Sequence, residues 1–216
     1  MLGSRCSEDW RGISIQNAIK TTEYYVLRTR TSNIEKQISK MTNIEHLQYP
    51  VGKWASKDHY LAEEIKQNIA DVLAYALKYK ELTSHLSEED LEKTYRDGSW
   101  TIRQLVHHVA DTHLWHFIRI KQALTEENPV GVMGNVNALS ALPDSAKAPI
   151  ADSLQMIEST HKRYAYVFSN IPASDYERTY YHPFRQINVN LPQALDMTVW
   201  HAKHHLVHIE IALKSV

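Results

Sequence analysis

The chain has 216 residues, of which 43% are hydrophobic and 23% charged, enough to bury the core of about one domain and unlike a disordered sequence. Lysine plus arginine numbers 24 against 25 for aspartate plus glutamate, so there is no electrostatic footprint for nucleic acid or an anionic membrane. No run reaches the roughly 18 apolar residues of a membrane span, and the first residues lack the apolar stretch of a signal peptide. The expected compartment is therefore the cytoplasm. The single cysteine, Cys6, excludes an internal disulfide and a thiolate metal cage.

Residues 1–48 read as an N-terminal extension, with one β-like run at Tyr24-Tyr25-Val26-Leu27 and no convincing amphipathic helix. From Tyr49-Pro50 the pattern turns helical, which makes 49–216 the folded domain. A first helix is expected over about Lys57–Lys80, where Leu61, Ile65, Ile69, Val72, Leu73, Ala76 and Leu77 share one face. Ser87-Glu88-Glu89-Asp90 opens a short capped helix, and Asp97-Gly98 marks a turn. Thr101 with Gln104 is a capping-box pattern that starts a second long helix at about Ile102–Leu124.

A long connection then runs from about Thr125 to Ala148. The third helix begins near Pro149, and Ile150, Leu154, Ile157, His161, Tyr164, Phe168 and Ile171 form its seam, with His161 in an apolar position. Tyr180-Tyr181-His182-Pro183 falls in a connection with room for a short hairpin. Asn190 caps the fourth helix, with Pro192 in its first turn, and the helix continues to about Leu213. The expected fold is all-α, a four-helix bundle with long crossover connections.

Thirteen histidines stand out against three phenylalanines, and eight of them crowd into residues 107–116 and 201–208. With about 100° per residue, Asp196, Lys203, Glu210 and Lys214 form one charged stripe on the fourth helix, its solvent face. The opposite direction lies between His201 and His205, while His208 and His204 lie progressively further off it. Two inward imidazoles one turn apart can share an ion. Buried histidines satisfied by hydrogen bonds are the plain alternative, but burying several imidazoles without a cation is costly unless each finds a partner.

On the second helix, Gln104, His108, Asp111, Thr112, Trp115 and Arg119 form a stripe centred on His108, while His107 and His113 project elsewhere. The expected metal ligands are thus His108, His201 and His205. Three imidazoles with an open fourth position suit one divalent ion, zinc or nickel. Asp111 and Arg119 are then candidate catalytic pocket groups, and Asp111 is also a candidate acceptor that orients an imidazole. A di-iron bundle is disfavoured because only Glu158-Ser159-Thr160-His161 has its Glu-x-x-His spacing. His-Glu-x-x-His, a phosphate-binding glycine loop and a Gly-x-Ser-x-Gly elbow are all absent.

Several segments together resemble the DinB-like superfamily and its YfiT/BstA-like branch of metal-dependent hydrolases and bacillithiol S-transferases. They are Tyr49-Pro50-Val51-Gly52, the run from Tyr95 through Asp111 to Ile118-Arg119, Tyr181-His182-Pro183, and Trp200-His201 with His205 and His208. The resemblance covers about residues 49–213. It implies a four-helix bundle, often a homodimer, holding a nickel- or zinc-type ion on His108, His201 and His205. It also implies transfer of a low-molecular-weight thiol to a small electrophile. Hydrolysis by metal-bound water and a non-catalytic, stress-related metal-binding bundle are the alternatives. Residues 1–40 have no counterpart in it, and Met41 is the expected biological start.

Overall fold

The structure is a computed structural model that describes residues 44–214. Cys6, the Tyr24–Leu27 run and Met41 lie outside the described residues. The chain divides into two units, Met1–Gln48 and Tyr49–Val216. Of the first unit, residues 44–48 are helical.

The second unit contains seven α-helices among its described residues: α1 (Ala62–Thr83), α2 (Glu88–Leu91), α3 (Ile102–Thr125), α4 (Val136–Ser140), α5 (Pro143–Lys147), α6 (Ala151–Asn170) and α7 (Leu191–Lys214). A 3-10 turn at Ala173–Glu177 leads into an antiparallel hairpin of β1 (Thr179–His182) and β2 (Ile187–Asn190). Among these, α1, α3, α6 and α7 are the bundle helices. Local chemistry explains their starts. The Thr101 hydroxyl accepts from Gln104 N while the Gln104 carboxamide accepts from Thr101 N, the reciprocal pair read from the sequence. Asn190 and Gln193 exchange the same two bonds, each at 3.0 Å, at the start of α7. α1 begins later than expected because the Glu64 carboxylate accepts from the Leu61 amide and sets the first turn there.

α1 packs against α6 and α7, and α3 packs against the same two helices. α1 and α3 therefore face each other across one diagonal, and α6 and α7 across the other. Two apolar clusters fill the interior, one around Tyr79, Leu105, Val109, Ile157 and Ile209, the other around Val72, Phe117, Tyr164, Phe168 and Leu195. Their order along each helix gives its direction. α3 and α6 run from the first cluster to the second, whereas α1 and α7 run from the second to the first. Between the clusters the helices place His113, His116, His161 and His201 instead of aliphatic side chains. The bundle thus carries a layer of imidazole between two oily ends.

Two expectations about faces need correction. Leu61, Leu73 and Leu77 are exposed, because α1 buries the narrower line of Ile65, Val72, Ala76 and Tyr79. On α7, Lys203 and Lys214 are exposed, but Asp196 is half-buried and accepts a 2.9 Å hydrogen bond from the Trp54 indole. The connection between α3 and α6 is also more ordered than a simple loop. α4 and α5 both pack on α3, and residues 129–131 bond to Tyr181 beside the hairpin.

Candidate metal centre

α3 and α7 are neighbours, and His108 meets His201 and His205 between them. One ring nitrogen from each lies within 4.8 Å of the other two. His108 Nε2 and His201 Nε2 are 3.3 Å apart, which matches the roughly 3.3 Å separation of two nitrogens held tetrahedrally at about 2.05 Å from zinc. The His201 and His205 rings meet edge to face at 4.5 Å, and the His108 and His205 rings at 4.7 Å. Trp100 covers the group, its ring 4.6 Å from His108. Burial, with smaller contributions from the neighbouring imidazoles, holds His201 and His205 well below the usual histidine pKa. Burial, then His204, lowers His108 to about 3. All three rings are therefore neutral at pH 7, the form that binds a cation. The donor set fits a divalent ion.

A second group, His204, His205 and His208, also gathers three ring nitrogens. It shares His205 with the first, and all three members belong to α7. His204 stacks on Trp200 with its Nδ1 buried and unpaired, and His208 stacks on Tyr95. All three members of the first set line one cavity, to which the second set contributes His205.

That cavity has a volume of about 490 Å³ and is bounded by His108, His201 and His205 on one side. Trp100, Trp115, Trp200, Phe184, Met133 and Met197 make much of its wall apolar. Its polar groups are Thr112, His116, Asn135, Asn137, His182, Arg119 and Arg185, and among the described residues no aspartate or glutamate lines it. Arg119 is 2% exposed. Its Nε donates to the Val132 carbonyl at 2.9 Å, and a terminal nitrogen lies 2.9 Å from Met133 Sδ. Arg185 sits 4.8 Å from the Trp54 ring. Among the described residues neither arginine has a carboxylate partner. Burial, then these two cations, lowers His182 to about 4.

Gly131 and Gly134 let the connection lie close to this wall. A Cβ at Gly131 would come within 2.8 Å of Tyr180 and 3.2 Å of Arg119, and one at Gly134 within 2.5 Å of Trp115.

Of the α3 stripe, His108, Thr112, Trp115 and Arg119 reach the cavity. Asp111 does not. It is half-buried away from the cavity lining, its pKa raised first by burial and then by Asp144, and it donates to and accepts from no imidazole of the centre. The pocket position expected for it is corrected accordingly. Gln104 is spent on the helix cap and on the Ser140 carbonyl.

His113, expected to project elsewhere, is 1% exposed and lies 3.0 Å from His201. α3 is buried around most of its circumference, so a single inward axis misplaces it. His113 also meets His161 at 2.6 Å, and His161 meets the Val72 carbonyl at 2.7 Å. His116, His182 and Arg185 join the site as well. The apolar seam position of His161 and the histidine-proline pair at His182 were the available signals for two of these.

The arrangement defines a class: a four-helix bundle whose helices present three neutral histidines to a mostly apolar pocket. The DinB superfamily profile matches residues 77–209, and the chain belongs to that superfamily. It is 40% identical over 168 residues, 78% of this chain and 95% of the relative, to a Bacillus pumilus (strain SAFR-032) protein whose name ranks it provisionally as a metal-dependent hydrolase. YfiT of Bacillus subtilis (strain 168), named in the same provisional way, is 34% identical over 78% of this chain and 94% of its own length. The solved structure of Bacillus subtilis YfiT, described as a probable metal-dependent hydrolase with an unusual four-helix bundle topology, superimposes with a TM-score of 0.74 at 33% identity, covering 76% of this chain and 94% of that one.

Proposed function

We propose that this protein is a metal-dependent enzyme that transfers a low-molecular-weight thiol to a small electrophile. His108, His201 and His205 would hold the ion, zinc or nickel by donor chemistry. A divalent ion there lowers the pKa of a thiol or a water and so supplies the nucleophile at neutral pH.

The observation that favours a thiol is that, among the described residues, no carboxylate lines the cavity. Even metal-bound water gains from a well-placed carboxylate to move its protons, and Asp111 does not line the pocket. A thiol, with a pKa near 8.5 in water, needs far less help. The indole and thioether walls suit an apolar electrophile. Arg119 and Arg185 suit an anionic group carried by one of the substrates, because a buried guanidinium without a counter-ion favours an anion entering its pocket. In the reaction a sulfur–carbon bond forms while a carbon–halogen bond or an epoxide carbon–oxygen bond breaks. The thiol proton passes to solvent or to the released alkoxide.

The test is conjugation of several thiols with a generic haloarene and an epoxide, with and without prior chelation. Thioether formation that chelation abolishes and added zinc or nickel restores supports the reading. Metal-dependent ester or amide hydrolysis with no thioether product would favour the hydrolase. Metal binding without either activity would leave the non-catalytic bundle.

A further inference from the structure

His161, His113 and His201 form an unbroken line of imidazoles across the bundle, from α6 through α3 to α7. His161 Nδ1 lies 2.7 Å from the Val72 carbonyl, His161 Nε2 lies 2.6 Å from His113 Nδ1, and His113 Nε2 lies 3.0 Å from His201 Nδ1. A carbonyl can only accept, so the proton of His161 sits on Nδ1 and its Nε2 carries the lone pair. That lone pair accepts from Nδ1–H of His113, whose Nε2 in turn accepts from Nδ1–H of His201. His201 is left with its lone pair on Nε2, the atom that faces His108 Nε2 at 3.3 Å.

We propose that the Val72 carbonyl, His161 and His113 are positioning groups which fix the tautomer of His201, making its Nε2 a ligand atom before any ion arrives. The line has one consistent direction, set by the only member that cannot donate. His161 and His113 are each 1% exposed, out of reach of competing solvent, and each passes one hydrogen bond along. His108 has no such constraint. Its Nδ1 faces the Thr112 hydroxyl at 3.4 Å, which both donates and accepts. The centre thus combines one ligand with a fixed tautomer and one that adapts.

The proposal uses the metal-site reading only for its purpose, and its primary readout needs no metal. Chelated protein labelled with ring ¹⁵N-histidine should show His201 protonated at Nδ1. Its signal is assigned by its loss in His201→Asn. In His161→Leu the end of the line is removed, and His201 should become a tautomer mixture with zinc affinity about 10–100-fold weaker. His161→Gln can still accept from His113 and donate to Val72, and should restore affinity to within a few-fold of wild type. Protonation of His201 at Nε2 in the wild-type protein overturns the proposal. So does a folded His161→Leu that keeps both the tautomer and the zinc affinity. If His161→Leu fails to fold, the wild-type tautomer and the His161→Gln affinity decide. A wild-type protein with Nδ1–H on His201 but no zinc binding would overturn the metal-site reading and leave the tautomer assignment standing.

Discussion

His107 and His108 are consecutive, yet the helix turns them to different tasks. His107 Nδ1 lies 2.7 Å from the Ser153 hydroxyl and Nε2 lies 3.2 Å from the Ala148 carbonyl, so it pins α3 to α6 and to the connection before it. His107→Ala should lower stability by about 1–3 kcal/mol, the cost of leaving buried partners unpaired, while the bound metal remains. Melting temperature and metal content measured on the same sample check this, and an emptied site would contradict it. Arg119 calls for a different measurement. Arg119→Met should raise KM for an anionic thiol about 10–100-fold, the equivalent of about 1.5–3 kcal/mol for a charged hydrogen bond, with little change for an uncharged thiol of similar size. Equal effects on both would remove the anion argument. Among single residues, the convergence of His108, His201 and His205 was legible because ligand spacing and a charged stripe oriented α7, and one more stripe oriented α3. His113 was not, because a helix enclosed on most sides has no unique inward face. Asp111 was misplaced by the same stripe, since angular proximity to His108 does not put a short side chain in the cavity.

At the scale of elements, the bundle helices announce themselves by their capping pairs and by apolar spacing, and the structure has them close to their expected bounds. The connection between α3 and α6 does not. Its two short helices carry too few residues for any periodicity, yet Met133, Gly134 and Asn135 with Val136 and Asn137 of α4 form one wall of the cavity. Gly134 is one point where this wall touches α3. Gly134→Ala places a methyl group where Trp115 now lies, and overpacking of this kind costs about 1–3 kcal/mol. The expected outcome is a lower melting temperature and a raised KM, with metal content unchanged because no ligand moves. A variant with wild-type KM would show that this part of the wall does not contact substrate. The exposed Leu73 and Leu77 carry the converse lesson. Apolar spacing marks a broad face, while packing against two neighbours uses only the strip between them.

At the scale of the whole molecule, the histidine layer makes stability depend on pH. Eight histidines, 108, 113, 116, 161, 182, 201, 204 and 205, have lowered pKa values in the native state, each chiefly through burial. Unfolding returns them to about 6.5. Between that value and the native values, about 4 for His161, His182 and His204, the unfolded chain binds more protons, so stability rises with pH. Chelated protein should therefore be fully stable above about pH 6.5 and lose stability as pH falls toward 4. Denaturant unfolding should give a slope above about 1.4 kcal/mol per pH unit, the value for one proton; a flat profile would mean that these imidazoles are not buried neutral. The most direct test of the metal centre is ion analysis of purified wild-type protein beside His108→Ala and His208→Ala. The first variant removes a member of the cavity-facing set alone, and the second a member of the other cluster alone. Wild type and His208→Ala should each carry near one zinc or nickel per chain and His108→Ala almost none, whereas an ion kept by His108→Ala and lost from His208→Ala would place the metal away from the cavity.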